Sequence, residues 1–298
     1  MSPRIGNAPC SWGVEFPDAP ENPPWESVLE ETAAAGYTGT ELGPVGYVPE
    51  DPEALAERLD RLGLSLIGGV VFQPFHDPSA WDAVRASVER TSRMLAPLGA
   101  RHLVLIDSIA AERAKHAGDS RSAPRLRARD ADGLHGRLTA AARIAAEEYG
   151  LLASLHHHAG GFVEFRDEIE RAMDALDPQL LGLCLDTGHS LYGGLDPAHL
   201  LRSHSARLRY VHLKDLDKRL LRESVREGVG FYEACNRGVF CRLGRGDVDF
   251  AAFFRALGEV GYRGWCTVEQ DRGPDTLGSP LDDARANRRF LVSQGFLG

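Results

Sequence analysis

The sequence lacks a cysteine framework. Its five cysteines are odd in number, and no two of them have the Cys-x-x-Cys spacing of structural zinc sites and redox motifs. A disulfide-stabilised fold and a structural zinc site are therefore not predicted. We expect the cysteines to be reduced thiols in a cytoplasmic protein. We interpret Cys184 and Cys266, which fall in predicted strands, as small buried apolar residues.

Long apolar runs are also missing. No stretch approaches the roughly 20 apolar residues that a membrane-spanning helix needs, and the longest candidate, residues 64–72, contains a glycine pair. The first residues show no basic start followed by an apolar segment, so a secretory signal is not predicted. We therefore expect a cytoplasmic protein without a membrane partner.

Positive charge is in deficit. The chain has 34 lysines and arginines against 43 aspartates and glutamates, a formal net charge of −9. No overall cationic field attracts phosphate backbones, so nucleic acid is not expected as a partner. Hydrophobic residues are 43% of the chain and charged residues 26%, which is typical of a globular protein rather than a disordered or fibrous one.

What the sequence does contain is an eightfold alternation of short β-rich runs and longer segments of helical period. Repeated βα units predict an α/β fold, a (β/α)8 TIM barrel, as a single domain over residues 1–298. The predicted strands are 4–8, 38–42, 65–71, 102–106, 151–156, 181–186, 208–213 and 265–270. The predicted helices are 25–35, 52–62, 81–98, 130–149, 166–176, 197–203, 250–259 and 280–296.

Two long connections follow the fourth and seventh predicted strands, at about 107–129 and 214–247. The carboxyl ends of barrel strands form the active-site face, so we expect both connections to lie over that face. The second carries aromatic and glycine residues suited to a lid. A surface insertion without function is the alternative, above all for the first.

Polar residues gather where the predicted strands end. Because strand interiors in a barrel are buried, an acid or imidazole there needs a metal, a ligand or another polar side chain. Alternation along the fifth strand turns His156 and His158 inward together and His157 outward. The whole set is Glu41, His76, Asp107, His156, His158, Asp186, His189, His212, Lys214 and Glu269.

Imidazole nitrogens and carboxylate oxygens on neighbouring strands predict a site for a divalent metal, and Mn, Co, Zn, Fe and Mg all suit such a mixture. The alternative is an ion-pair cluster in which Lys214 or arginines neutralise Asp186 and Glu269. Burying two acids and two histidines together without any cation is costly, which favours the metal site.

Seven segments of the chain show a family resemblance, which extends over nearly its whole length. They are residues 8–13, 34–44, 156–160, 185–189, 211–215, 244–250 and 264–270, of which the last five are specific in combination. The sequence resembles the xylose-isomerase-like TIM barrel superfamily, of the sugar phosphate isomerase/epimerase type, and within it the inosose dehydratases.

The resemblance implies a ligand set. Asp186, His212 and Glu269 match three of the four residues with which the superfamily holds its metal, and the fourth, a glutamate there, falls at His156. Either His156 binds the metal or water completes the shell. The metal is expected to be Mn or Co, with Zn, Fe or Mg as alternatives. Family epimerases use two facing glutamates as bases, so a histidine here favours one-way elimination.

The implied activity is that of a hydro-lyase, which dehydrates a cyclic keto-polyol such as 2-keto-myo-inositol through an enediolate while the cation acts as a Lewis acid. Catalytic candidates are the bases Glu269, His156 and His158 and the proton donors His189, His212 and Lys214. Candidate substrate contacts are Trp12, Glu41, His76, His158 and Lys214.

Other functions stay open. They are a metal-dependent keto-sugar isomerase or epimerase, an enzyme acting on a 3-keto-glycoside, and a non-catalytic sugar-binding barrel, all with a small-molecule partner. A phosphate-specific enzyme is not favoured, because no glycine-rich loop opens a helix in the second half of the chain. A homodimer is also left open, with Trp265 and residues 290–291 as candidate contacts.

Overall fold

The computed structural model describes residues 3–296, so four residues of the expected domain 1–298 lie outside it. Eight parallel strands close into a barrel in which β1 pairs with both β2 and β10. The predicted (β/α)8 barrel is confirmed. Its strands are β1 Arg4–Asn7, β2 Gly39–Glu41, β3 Ser65–Gln73, β4 His102–Asp107, β5 Leu152–His156, β6 Leu181–Asp186, β7 Leu208–Leu213 and β10 Trp265–Val268.

Helices surround the barrel and bury their apolar faces against it. They begin and end where the sequence supplies caps. At α2, for example, the Asp51 carboxylate accepts the N–H groups of Glu53 and Ala54, and Gly63 ends the helix at φ 64°. The helices are α1 Trp25–Ala34, α2 Pro52–Leu62, α3 Trp81–Leu95, α4 Ala128–Tyr149, α5 Arg166–Ala175, α6 Thr187–Tyr192, α7 Pro197–Ser203, α8 Lys218–Glu227, α9 Phe231–Asn236, α10 Phe250–Glu259 and α11 Pro280–Ser293.

The core has two layers. The larger one lies between the strands and the helices, and the smaller one fills the inside of the barrel. Trp265 belongs to the inner layer and is only 6% exposed, so the expectation that it contacts a second copy of the chain is wrong. The inner layer consists of Ile67, Val104, Ile106, Cys184, Tyr210 and Trp265.

The second long connection is a folded insertion rather than a loop. It contains α8, α9 and a short antiparallel pair, β8 Asp215–Leu216 and β9 Phe240–Cys241. The Asp215 carboxylate accepts N–H groups from Gly244, Gly246 and Val248, which holds the returning chain against β8. The insertion is thereby fixed over the carboxyl end of β7.

A buried arginine anchors the first long connection. Arg113 is fully buried, and its guanidinium lies 2.6 Å from Glu168 of α5 and 3.1 Å from Glu164. It also donates to the carbonyl oxygen of Pro124, near the end of the same connection. The segment between β4 and α4 is therefore tied to α5 and forms a wall of the active-site face.

No helix within residues 3–296 is both long enough and apolar enough to cross a lipid bilayer.

Candidate active site

Four side chains from neighbouring barrel strands converge at the carboxyl end of the barrel. His156 ends β5, Asp186 ends β6, His212 is the penultimate residue of β7, and Glu269 directly follows β10. All four are buried, and one potential ligand atom from each lies within 4.8 Å of the others. The structure therefore brings together the four side chains that the sequence predicts as metal ligands.

The cluster has the properties of a cation site. Asp186 Oδ2 and His212 Nδ1 are buried without a hydrogen-bond partner among residues 3–296. His212 Nδ1 lies 3.3 Å from Glu269 Oε1, and His156 Nε2 lies 3.5 Å from Asp186 Oδ2. Buried polar atoms without partners cost free energy, and a divalent cation would satisfy the donor atoms of this set.

Both acids of the cluster are held in the ionised form. Burial acts to raise the pKa of Asp186, but the charges of Lys214 and His156 outweigh it and hold the pKa below its ordinary value. The pKa of Glu269 is lowered in the same way, against burial, by His212 and Lys214. Ionised carboxylates are the form that binds a metal ion.

Lys214, directly after β7, places a positive charge beside the cluster. Its Nζ lies 2.8 Å from Asp271 Oδ2, 3.0 Å from Glu269 Oε2 and 3.7 Å from Asp186 Oδ2. Burial opposes the charge, yet these carboxylates raise the pKa of Lys214 well above its ordinary value. The side chain is therefore an ammonium ion that donates protons or hydrogen bonds.

A second group of potential ligands, Cys10, Glu269 and Asp271, lies next to the first. Lys214 Nζ already joins its two carboxylates. Burial raises the pKa of the Cys10 thiol well above its ordinary value, so the sulfur keeps its proton. An ammonium ion neutralises this group, and we assign the cation to the first cluster.

His158 and His189 are neutral imidazoles beside the cluster. His158 Nδ1 lies 2.9 Å from the carbonyl oxygen of Ala159, which only accepts, so Nδ1 carries the proton and Nε2 the lone pair. His189 Nδ1 accepts the N–H of Ala159 at 3.2 Å, and its Nε2 lies 3.2 Å from Lys214 Nζ and 3.7 Å from Asp271 Oδ2. Burial, with nearby positive charge, lowers the pKa of both rings well below the ordinary value.

The cluster opens into a cavity of about 900 Å³. Four predicted site residues that are not in the ligand set also line it, namely Glu41, His158, His189 and Lys214. The insertion contributes Tyr232 at the solvent side, where its ring lies 6.0 Å from that of Phe16. The insertion therefore contributes to the lining of the cavity.

Two predicted substrate contacts lie elsewhere. Trp12 does not line the cavity, and its indole Nε1 donates to Glu31 of α1 at 2.6 Å. His76 is also outside the lining, because its backbone N–H and its Nδ1 both contact Asp107 Oδ1 at 2.8 Å while its ring packs on Phe162. Each side chain is engaged by the protein itself, so the structure corrects both expectations.

Glu41 lines the cavity as predicted, but one of its oxygens binds protein groups. Oε1 accepts the Tyr210 hydroxyl at 2.7 Å and lies 2.9 Å from His212 Nε2. Glu41 is therefore in direct contact with a predicted metal ligand.

Two acidic residues of the site were missed by sequence reasoning, Asp271 beside Lys214 and Glu15 in the cavity lining. Asp271 follows Glu269 by two positions, the same alternation that relates His158 to His156, so a signal for it was present. Glu15 follows a 3₁₀ turn after β1, where strand periodicity no longer applies. Desolvation, followed by the charge of Asp271, raises the pKa of Glu15 to about 8.

Comparison with known proteins agrees with the fold. A family model described as xylose isomerase-like TIM barrel matches residues 29–294. A (β/α)8 barrel with buried histidines and acids at the carboxyl ends of its strands is thus the class of protein observed, and the chain belongs to the xylose isomerase-like TIM barrel family.

Proteins of similar sequence indicate which type of enzyme within this family the chain is. An inosose dehydratase of Geobacillus kaustophilus (strain HTA426) is 34% identical over 97% of this chain and 93% of its own length. The rhizopine catabolism protein MocC of Rhizobium meliloti is 34% identical over 98% of this chain and 88% of its own. The inosose dehydratase of Geobacillus thermodenitrificans (strain NG80-2) is 30% identical over 97% of this chain and 96% of its own. The chain is an enzyme of the hydro-lyase type, as the sequence predicts.

A solved structure shows the same fold. The crystal structure of IOLI protein with a binding zinc atom matches with a TM-score of 0.75 over 99% of this chain and 98% of that chain, at 17% identity. At 17% identity this similarity supports the barrel fold alone. The chemistry of the site is therefore argued from its own residues.

Proposed function

We propose that this enzyme removes water from a cyclic keto-polyol such as 2-keto-myo-inositol with the help of one divalent cation. The observation that carries the proposal is the convergence of four ligand atoms, with Lys214 beside them, on a cavity large enough for a polyol. Relatives named inosose dehydratase that align over nearly the full chain support this substrate class.

His156, Asp186, His212 and Glu269 would hold the cation. A bound divalent cation supplies Lewis-acid chemistry, polarising the substrate ketone and stabilising the negative charge of an enediolate. Two imidazole nitrogens and two carboxylate oxygens suit several metals, and we propose Mn or Co, with Zn, Fe or Mg as alternatives. Because Glu269 and His156 are assigned here as metal ligands, His158 is the candidate base that remains.

His158 would take the proton from the carbon next to the ketone. Its Nε2 carries the free lone pair because Nδ1 donates to the carbonyl oxygen of Ala159. The ring is 4.9 Å from that of Phe231, and this apolar contact helps to exclude water from the base. A neutral, positioned imidazole is a suitable general base.

Lys214 would donate a proton to the departing hydroxyl group, so that water leaves. His189 lies between the acid and the base: its Nε2 is 3.2 Å from Lys214 Nζ, and its ring centroid is 4.1 Å from that of His158. Elimination leaves His158 protonated and Lys214 deprotonated, and proton exchange with water in the cavity would restore both groups before the next turnover.

The test combines metal content with turnover. The purified enzyme is loaded with Mn²⁺ or Co²⁺ and assayed on keto-inositols and ketohexoses for a product that absorbs in the ultraviolet. We expect one metal ion per chain and dehydration of a keto-inositol. Solvent deuterium exchange into recovered substrate without an absorbing product would instead show an epimerase, and turnover without metal would contradict the proposal.

Asp186→Asn is the sharpest variant for this test. Asn keeps the oxygen that caps α6 by accepting the N–H of His189 at 2.7 Å, so folding is retained while the anionic ligand is lost. We expect it to lose metal and about 10³-fold or more of its activity. His157→Asn is the matched control, because His157 faces Ser190 of α6 and lies outside the ligand set.

A further inference from the structure

The two histidine ligands have different surroundings. His212 Nε2 lies 2.9 Å from Glu41 Oε1, whereas His156 Nδ1 has no hydrogen-bond partner among the described residues. Metal-binding histidines are held in place by a second partner on the ring nitrogen that does not bind the metal. Only His212 of this pair has such a partner within residues 3–296.

Glu41 of β2 is itself held by a side chain of β7, a strand that is not its neighbour in the barrel. The Tyr210 hydroxyl of β7 donates to Glu41 Oε1 at 2.7 Å and also contacts the Thr267 hydroxyl of β10. The Tyr210 ring stacks on His102 at a centroid distance of 4.7 Å. Glu41, Tyr210 and Thr267 are 2% exposed or less, so the arrangement is rigid and shielded from water.

This arrangement selects the tautomer of His212. Glu41 Oε1 accepts a hydrogen bond from the Tyr210 hydroxyl, and because a carboxylate oxygen only accepts, His212 Nε2 is the donor in the second contact. With the proton on Nε2, the lone pair of a neutral His212 lies on Nδ1. Nδ1 is the nitrogen that faces Glu269 Oε1 and Asp186 Oδ2, at 3.3 and 3.9 Å.

We propose that Glu41, oriented by Tyr210, is a positioning residue that fixes the tautomer and direction of His212 and thereby sets the metal affinity of the cluster. The inference rests on the proposed function for the identity of the cation site. It replaces the prediction that Glu41 mainly contacts substrate. Tyr210 acts through Glu41 and touches neither metal nor substrate.

The test measures Co²⁺ affinity of the full chain by competition with a chromogenic chelator, without substrate. Glu41→Ala removes the acceptor, and loss of an outer-shell partner typically weakens metal binding about 10- to 100-fold. Glu41→Gln keeps an acceptor oxygen but loses the charge, so we expect a smaller rise in Kd. Tyr210→Phe keeps the ring stacked on His102 and should also raise the Kd.

Asp107→Asn is the matched control. Asp107 is an equally buried acid, 2% exposed, whose oxygens bind His76 and the N–H of Phe162 and lie outside the cluster. We expect its Co²⁺ affinity to equal that of the wild type even where thermal stability falls. An equal loss of affinity in Asp107→Asn and Glu41→Gln would show a general effect of lost stability and would overturn the inference.

Substrate kinetics separate the remaining outcomes. If Glu41→Ala and Glu41→Gln bind Co²⁺ like the wild type while KM rises, Glu41 is a substrate contact and the inference is wrong. A wild type that binds Co²⁺ tightly, loses affinity in the Glu41 variants and dehydrates no keto-polyol would support the role of Glu41 and contradict the proposed function. A wild type that binds no Co²⁺ contradicts both.

Discussion

Alternation along a strand decides which side chains meet in this site. His156 and His158 are two residues apart at the end of β5, and both line the cavity. Glu269 and Asp271 repeat this spacing after β10, and both contact Lys214. The residues that strand periodicity covers could be predicted from the sequence, because successive side chains of a strand face opposite ways.

Other residue roles required the folded chain. Trp12 was expected at the cavity because an indole suits a sugar-like ring, but its partner Glu31 lies on α1, and nothing in the local pattern links the two. The contact between Glu41 and His212 joins residues 171 positions apart. Such contacts depend on the closure of the barrel, which local propensity does not encode.

His76 gives a prediction for pH. Its pKa is raised: burial alone would lower it, but the hydrogen bond and the charge of Asp107 outweigh burial. A raised folded-state pKa means that the protonated pair stabilises the fold fully below the unfolded value near 6.5 and that this contribution is lost as pH rises through the folded value.

The measurement is urea unfolding of the wild type and His76→Asn at pH 5.5 and pH 8.5. We expect the wild type to exceed the variant in stability by more at pH 5.5 than at pH 8.5. An identical difference at both values would show that folding does not shift the pKa of His76.

At the scale of elements, the sequence predicted the repeated strands and helices of the barrel but not the helices within the insertion after β7. The bounds of β6 and β7 agree with the sequence prediction, and α2 and α10 do as well. Five glycines close behind the predicted helices have positive φ in the structure, a conformation that ends a helix at low cost only when the residue is glycine. They are Gly36, Gly63, Gly99, Gly150 and Gly261.

The sequence predicted the connection after β7 as a long loop, and its helices were missed for a physical reason. Its helix α8, Lys218–Glu227, buries only Leu221 and Ser224, so its sequence is mostly charged and resembles a solvated loop. The helix α6 directly after β6 was missed because it has only six residues, about the shortest length at which a helical period can be recognised. Short elements held by tertiary contacts leave little periodic signal.

The connection between β4 and α4 provides a stability prediction. Replacing Arg113 by Met leaves Glu164 and Glu168 buried without their shared partner, and breaking a buried ion pair costs about 3–5 kcal/mol. Arg125→Met is the control, because Arg125 also contacts Glu168 but is 33% exposed, and a pair of this kind contributes about 1 kcal/mol or less.

Chemical denaturation of the two variants checks this expectation. A loss in Arg113→Met no larger than in Arg125→Met would mean that the connection is not anchored by the arginine. The wall of the cavity formed by residues 108–114 would then need another explanation for its position.

At the scale of the whole molecule, barrel closure joins distant parts of the chain into one site. β10 pairs with β7 and with β1, so Glu269 faces His212 on one side and Cys10 approaches from the other. The fold class followed from counting βα units, and the ligand set followed from the polar residues at strand ends. The depth of the cavity and the partners of each ligand required the closed barrel.

The most direct test of the central claim is anomalous diffraction from a crystal of the enzyme grown with Co²⁺. The account predicts one strong peak per chain, within about 2.2 Å of donor atoms from His156, Asp186, His212 and Glu269. No peak at that position, or a peak bound by other residues while these four side chains pair only with one another and with Lys214, would contradict it.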